Sequence, residues 1–208
     1  MHLKPDELIQ NHYVLLDNLG HKELVPFIRT YLRKRTKYTF IYYLSNLILI
    51  FLVGYLFLKG FNSPEYKLGS RFTYFSYGLA IAFALIPLHE FIHVLAYKSQ
   101  GAKNTSYDVH IRKLYFMALA DKFVINKKEF EIVALAPFVS ISTVLIIFYF
   151  VVPSNWNITI MGVLLAHTAM CSGDFGLLSY FEFNKEKNVV SYDDVENKIS
   201  YFYAKLDK

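Results

Sequence analysis

Residues 72–97 read FTYFSYGLAIAFALIPLHEFIHVLAY, and the fold turns on this stretch. It is apolar over a length sufficient to cross a bilayer, yet its second half carries His89, Glu90 and His93. The stretch therefore reads as a transmembrane helix with a polar constellation built into it.

Three further apolar stretches lie on either side: 38–58 before it, and 132–152 and 156–181 after it. Together they predict an all-α membrane protein with a four-span core over 38–181. Residues 1–37 mix apolar and charged positions and end in Arg33-Lys34-Arg35-Thr36-Lys37, which predicts short amphipathic helices on a membrane surface. Residues 182–208 read as a charged tail. The loop between spans two and three predicts a short β-hairpin from 107–112 and 114–118, and Asn126 is placed to cap the following helix.

Composition agrees with a membrane class. Of 208 residues 54% are hydrophobic, and mean hydropathy is +0.28. The formal net charge of +5 is not organised as a basic stripe on a soluble fold, so nucleic acid is not an expected partner. The single cysteine, Cys171, excludes an intramolecular disulfide and any multi-cysteine zinc site. Residues 1–7, MHLKPDE, lack the basic and apolar regions of a secretory signal.

Lys and Arg also set an orientation, because cytoplasmic flanks carry their excess. Seven precede the first span and seven lie in the loop between spans two and three, against three between spans one and two and none between three and four. The expected location is thus the cell membrane, multi-pass, with both termini cytoplasmic.

His89 and His93 are four apart, one turn on one helical face, and so offer two imidazoles to a single ion. In the zinc-hydrolase use of His-Glu-x-x-His, the glutamate, here Glu90, is the general base. A chance match in such a chain is on the order of 1 in 100, and membrane depth raises the significance of the pattern, since unpaired polar groups there cost several kcal/mol.

A catalytic zinc needs a third protein ligand. Asp174 lies 18 residues into span four and His89 lies 17 residues into span two, so both sit about 26 Å from the outer boundary. Ionised Asp174 and Glu90 also neutralise a divalent cation, which lowers the cost of burying all three. Asp174 is the expected third ligand, and His167, seven residues earlier, is the rival. His110 reads as a loop histidine, and Glu129 and Glu131 as acids favoured at a helix start. Pro87 and Pro137 each free a carbonyl, to line a cavity or receive an extended substrate, or simply kink a span.

The segments Pro87-Leu88-His89-Glu90-Phe91-Ile92-His93, Ala134-Leu135-Ala136-Pro137-Phe138 and Ser172-Gly173-Asp174 together resemble the site-2 protease clan of intramembrane zinc proteases. The chain is more closely similar to a bacterial family of zincin peptidases related to that clan. The resemblance covers residues 72–205 and implies Zn2+ on His89, His93 and Asp174, Glu90 as base, and a membrane-embedded peptide or protein as substrate. The clan's Leu-Asp-Gly is replaced here by Gly173-Asp174-Phe175, and Ser140 and Ser142 stand where a substrate-clamping Asn is usual. Two other readings stay open: a non-enzymatic immunity or scaffold factor with a structural or vestigial metal site, and a metal hydrolase acting on lipids or small amides.

Overall fold

The computed structural model describes residues 3–61, 68–110 and 115–205. In chain order the elements are β1 (Tyr13–Gly20), α1 (Leu24–Leu32), α2 (Lys37–Phe61), α3 (Leu68–Ala84), α4 (Ile86–Ser99), β2 (Thr105–His110), β3 (Tyr115–Ala120), β4 (Ile125–Asn126), α5 (Lys127–Val151), α6 (Asn157–Met170), α7 (Ser172–Phe183), β5 (Val190–Asp194) and β6 (Ile199–Lys205). Helix dominates. Among the described residues α2 and α5 are each long and apolar enough to cross a membrane, and the number rises to four if the broken pairs α3/α4 and α6/α7 each count as one span. Large apolar side chains on α2 and α5, such as Phe51 and Phe150, are exposed, as a lipid-facing surface requires.

Both breaks have local causes. Pro87 cannot donate a backbone hydrogen bond and so sits most comfortably in a first helical turn, which is where the restart at Ile86 puts it. The α6/α7 break falls at Cys171, beside Ser172 and Gly173.

The chain divides into two compact units. The first comprises Met1–Thr39, Glu90–Ala136 and Gly173–Lys208. Its four-stranded antiparallel sheet has the order β1-β6-β5-β4, and β2 and β3 form a separate antiparallel pair. This corrects the reading of an all-α chain. The strand β1 occupies part of the segment expected to be amphipathic helix, of which α1 remains, and the expected tail folds as β5 and β6. Along β6 the inward residues are Ser200, Phe202 and Ala204. Phe202 joins Phe27, Tyr31, Tyr180 and Phe181 in an aromatic cluster, with Phe202 and Tyr180 centroids 4.6 Å apart. At Gly176 a Cβ would lie 2.7 Å from Ile28 Cγ2, so α7 approaches α1 through a missing side chain.

In that unit α4 ends where Gly101 takes a positive φ of 103° and Ala102 N–H reaches back to the Tyr97 carbonyl, a Schellman-type stop. Asn126 caps α5: its Oδ1 accepts from Lys128 N–H at 2.9 Å and Glu129 N–H at 3.1 Å, while Glu129 Oε2 accepts from Asn126 N–H at 3.0 Å. The second unit comprises Phe40–His89 and Pro137–Ser172. There α3 and α6 meet at Gly78 and Gly162, and a Cβ on Gly78 would collide with the Thr159 carbonyl. Thr159 Oγ1 donates to the Tyr74 carbonyl at 2.8 Å across the same crossing.

Candidate metal centre

His93 is buried in the middle of α4, and both of its ring nitrogens have fixed partners. Nδ1 lies 2.9 Å from the Val133 carbonyl and Nε2 lies 3.1 Å from Asp174 Oδ1. A carbonyl only accepts, so Nδ1 carries a proton, and in the neutral ring Nε2 keeps the lone pair a metal requires. The Val133 carbonyl is available because Pro137, four residues on, has no N–H to give it. Pro137 in α5 thus leaves a carbonyl that accepts from His93, on a residue that also lines the pocket.

Asp174 reaches this point because α7 restarts at Ser172, which puts the carboxylate in a first helical turn, where the helix dipole favours negative charge. Ligand atoms around a tetrahedral zinc, with bonds of about 2.0–2.1 Å, stand roughly 3.3 Å apart. The 3.1 Å between His93 Nε2 and Asp174 Oδ1 fits that spacing, and imidazole with carboxylate is a donor set suited to zinc.

Glu90 Oε2 accepts a hydrogen bond from Ala118 N–H at 2.8 Å. Ala118 stands opposite Tyr107 in the β2/β3 ladder, so spending its N–H on Glu90 means that the outward edge of β3 faces the carboxylate. Two residues along that edge, Ala120 N–H donates to the Asp193 carboxyl, which also accepts from Ser200 Oγ at 2.6 Å. Burial pushes the Asp193 carboxyl above its ordinary range, against the hydrogen bonds from Ser200 and Ala120 and the nearby charge of His21. Glu90, His93, Asp174 and Asp193 line one pocket of the first unit, whose remaining wall is largely apolar, with Phe116, Leu119, Phe130 and Phe202.

The β2/β3 pair is tied down by charge. His21 Nδ1 lies 2.8 Å from Asp108 Oδ2, and Lys198 Nζ donates to Asp108 Oδ1 at 3.2 Å. Burial alone would raise the Asp108 carboxyl, but the hydrogen bonds from His21 and Lys198 and their charges outweigh it and hold the group below the usual range.

His89 stands one turn before His93 on α4. In the second unit its Nδ1 lies 3.2 Å from His167 Nε2, and the two rings meet edge to face with centroids 5.4 Å apart. Cys171 Sγ is 4.0 Å from the same His167 nitrogen. Of the residues singled out in the sequence, His93, Glu90 and Asp174 line one pocket, and His89 contacts His167. Glu129 is occupied in the α5 cap, and Glu131 lies 3.7 Å from Lys37 Nζ and 3.8 Å from Lys127 Nζ, so neither belongs to the site. His110 is the last residue of β2. Sequence reading missed the Val133 carbonyl, the Ala118 N–H and Asp193. Only the first had a local signal, since Pro137 frees the carbonyl four residues before it.

A family profile described as "putative zincin peptidase" matches residues 82–188, just over half of the chain, and this interval contains His89, Glu90, His93 and Asp174. No curated protein and no solved structure is significantly similar to the chain.

Proposed function

This chain belongs to the zincin peptidase family, and on that premise we propose that it is a zinc-dependent intramembrane endopeptidase of the site-2 protease kind. One observation carries the reading: His93 has its Nδ1 proton committed to Val133 and its Nε2 turned to Asp174, in a pocket that also holds Glu90. His89, one turn earlier on α4, is the proposed third protein ligand beside His93 and Asp174. The alternative, a vestigial or structural site, leaves unexplained why a carboxylate outside the ligand set lines the same pocket.

Zinc, when bound, acts as a Lewis acid and brings a water's pKa near neutrality. The chain's own groups do the rest. Asp174 and Glu90 together balance the charge of a divalent ion, Val133 keeps the His93 ring in register, and Ala118 N–H holds Glu90 Oε2 in place. Glu90 takes the proton of the attacking water on its carboxylate and returns it to the departing amine. The apolar wall formed by Phe116, Leu119, Phe130 and Phe202 suits a hydrophobic side chain of the substrate, as a membrane-embedded peptide would present. By the Lys and Arg distribution, the scissile bond lies near the cytoplasmic face.

The test is metal analysis of gently purified wild-type protein beside Glu90→Ala, with cleavage of reconstituted transmembrane peptides as the second readout. About one zinc per chain in both, with cleavage lost in the variant, is expected. Wild-type protein without zinc would sink the proposal.

A further inference from the structure

The pocket of the first unit holds a carboxyl group that the hydrolytic steps do not use. Asp193 lines it together with Glu90, His93 and Asp174 and keeps some accessible surface. Its hydrogen-bond partners are neutral: Ser200 Oγ donates to Oδ1 at 2.6 Å, and Ala120 N–H donates to the carboxyl. A carboxylate offers about four acceptor sites, so about two are unspent. Among the described residues no lysine or arginine pairs with Asp193. The nearby His21 is engaged by Asp108, 2.8 Å from its Nδ1, and Asp121 adds negative charge. An enclosed carboxyl with neutral donors and a second acid beside it is one that a cation would complement.

Strand β3 sets its distance from the chemistry. Ala118 N–H holds Glu90 and Ala120 N–H holds Asp193, two residues along one edge, so the two carboxyl groups are seated about 6.8 Å apart along the strand. The same pocket carries the apolar side chains of Phe116, Leu119, Phe130 and Phe202. Apolar walls that include a carboxyl group match a side chain with a hydrocarbon stem and a cationic head, as lysine and arginine have. Such residues flank transmembrane segments on the cytoplasmic side, the side to which the proposed cleavage is assigned.

We propose that Asp193 is a specificity-determining residue that pairs with the cationic head of a substrate lysine or arginine lying within about two residues of the scissile bond. The assignment of that bond rests on the peptidase reading, whereas the pairing itself needs neither zinc nor Glu90.

The test uses the full-length chain in detergent micelles and transmembrane peptides with a single lysine, moved one position at a time through the cytoplasmic end of the span. Matched peptides carry methionine, of similar length and uncharged, at the same place. For wild type, kcat/KM should favour lysine over methionine by at least ~10-fold at a position within about two residues of the cut, since a site built for a polar group rejects an analogue that lacks it. Asp193→Asn, which still accepts from Ser200 and Ala120 but carries no charge, should bring that ratio to about one. A wild-type ratio near one at every position overturns the subsite without any variant, and leaves the peptidase reading standing if both peptides are cut. A lysine preference that Asp193→Asn leaves unchanged overturns it too. Where neither peptide is cut, binding of the same peptides, followed by fluorescence anisotropy, decides. A binding preference for lysine that is lost in Asp193→Asn then keeps the subsite and counts against the peptidase, and no preference overturns the subsite.

Discussion

The Val133 carbonyl accepts the Nδ1 proton of His93 at 2.9 Å, and it is open to do so because Pro137 leaves it without a helical donor. Pro137→Ala returns that donor and makes the α5 backbone compete with the imidazole. Zinc affinity should fall about 10-fold, in the range typical for lost outer partners of a ligating histidine, while helix content is unchanged or slightly higher. Chelator competition on the purified variant measures it, and unchanged affinity would show that the contact is incidental.

Glu90→Gln keeps an oxygen able to accept from Ala118 N–H but cannot take a proton from water. Turnover of reconstituted transmembrane peptides should drop by about 10²–10⁴, the usual contribution of a general base, with zinc content unaltered. Loss of metal along with activity would instead make Glu90 a ligand.

Asp108 anchors the β2/β3 pair to His21 and Lys198, with its carboxyl held below the ordinary 3.8. A depressed folded value means the stabilisation is fully present above pH 3.8 and is lost as pH falls through the folded value. Asp108→Asn should cost about 2 kcal/mol at neutral pH, the worth of hydrogen bonds to a charged group. The gap between the melting temperatures of the variant and the wild type should close progressively below pH 3.8.

Asp193 has the opposite sign. Its raised folded value means that its protonated form is the better tolerated one, so stability is greatest at low pH and declines as pH rises above 3.8 toward the folded value. Asp193→Asn, which still accepts from Ser200 and Ala120, should remove this decline, so that the variant gains in melting temperature relative to wild type as pH increases. A constant difference across that range would contradict the assignment.

The α3/α6 crossing depends on the absence of side chains. Gly78→Ala drives a methyl into the Thr159 carbonyl and should destabilise by about 1–3 kcal/mol, the common penalty for overpacking. Gly54 in α2 has nothing within 4 Å of a would-be Cβ, so Gly54→Ala should be neutral or stabilising by up to ~1 kcal/mol. Thermal melts of the two variants side by side provide the comparison.

The residues of the proposed site can be picked out of the sequence because their spacing is local. His89, Glu90 and His93 share one helix whose apolar surroundings make each polar side chain conspicuous, and Asp174 stood out as a carboxylate in another apolar segment at matching depth. The apolar stretches were equally plain, although Pro87 and the Cys171-Ser172-Gly173 run break two of them into helix pairs. The strands of the first unit were harder to see. Residues 199–205 alternate inward and outward with period two, yet beside the acidic Asp193 and Asp194 and the lysines they look like a charged tail. Residues 13–20, with the irregularity between Leu15 and Asp17 in their pairing to β6, have no clean period at all.

The apolar helices and the His-Glu-x-x-His face can be read from the chain alone, because each follows from composition or from spacing within one element. What those groups touch depends on the packed fold. Val133 meets His93 across 40 residues of chain, Tyr13–Gly20 pairs with Ile199–Lys205, and Ala118 and Ala120 turn their N–H groups to Glu90 and Asp193. Contacts of that kind are set by which surfaces pack together and by the need to satisfy every buried donor and acceptor, and no periodicity along the chain encodes them.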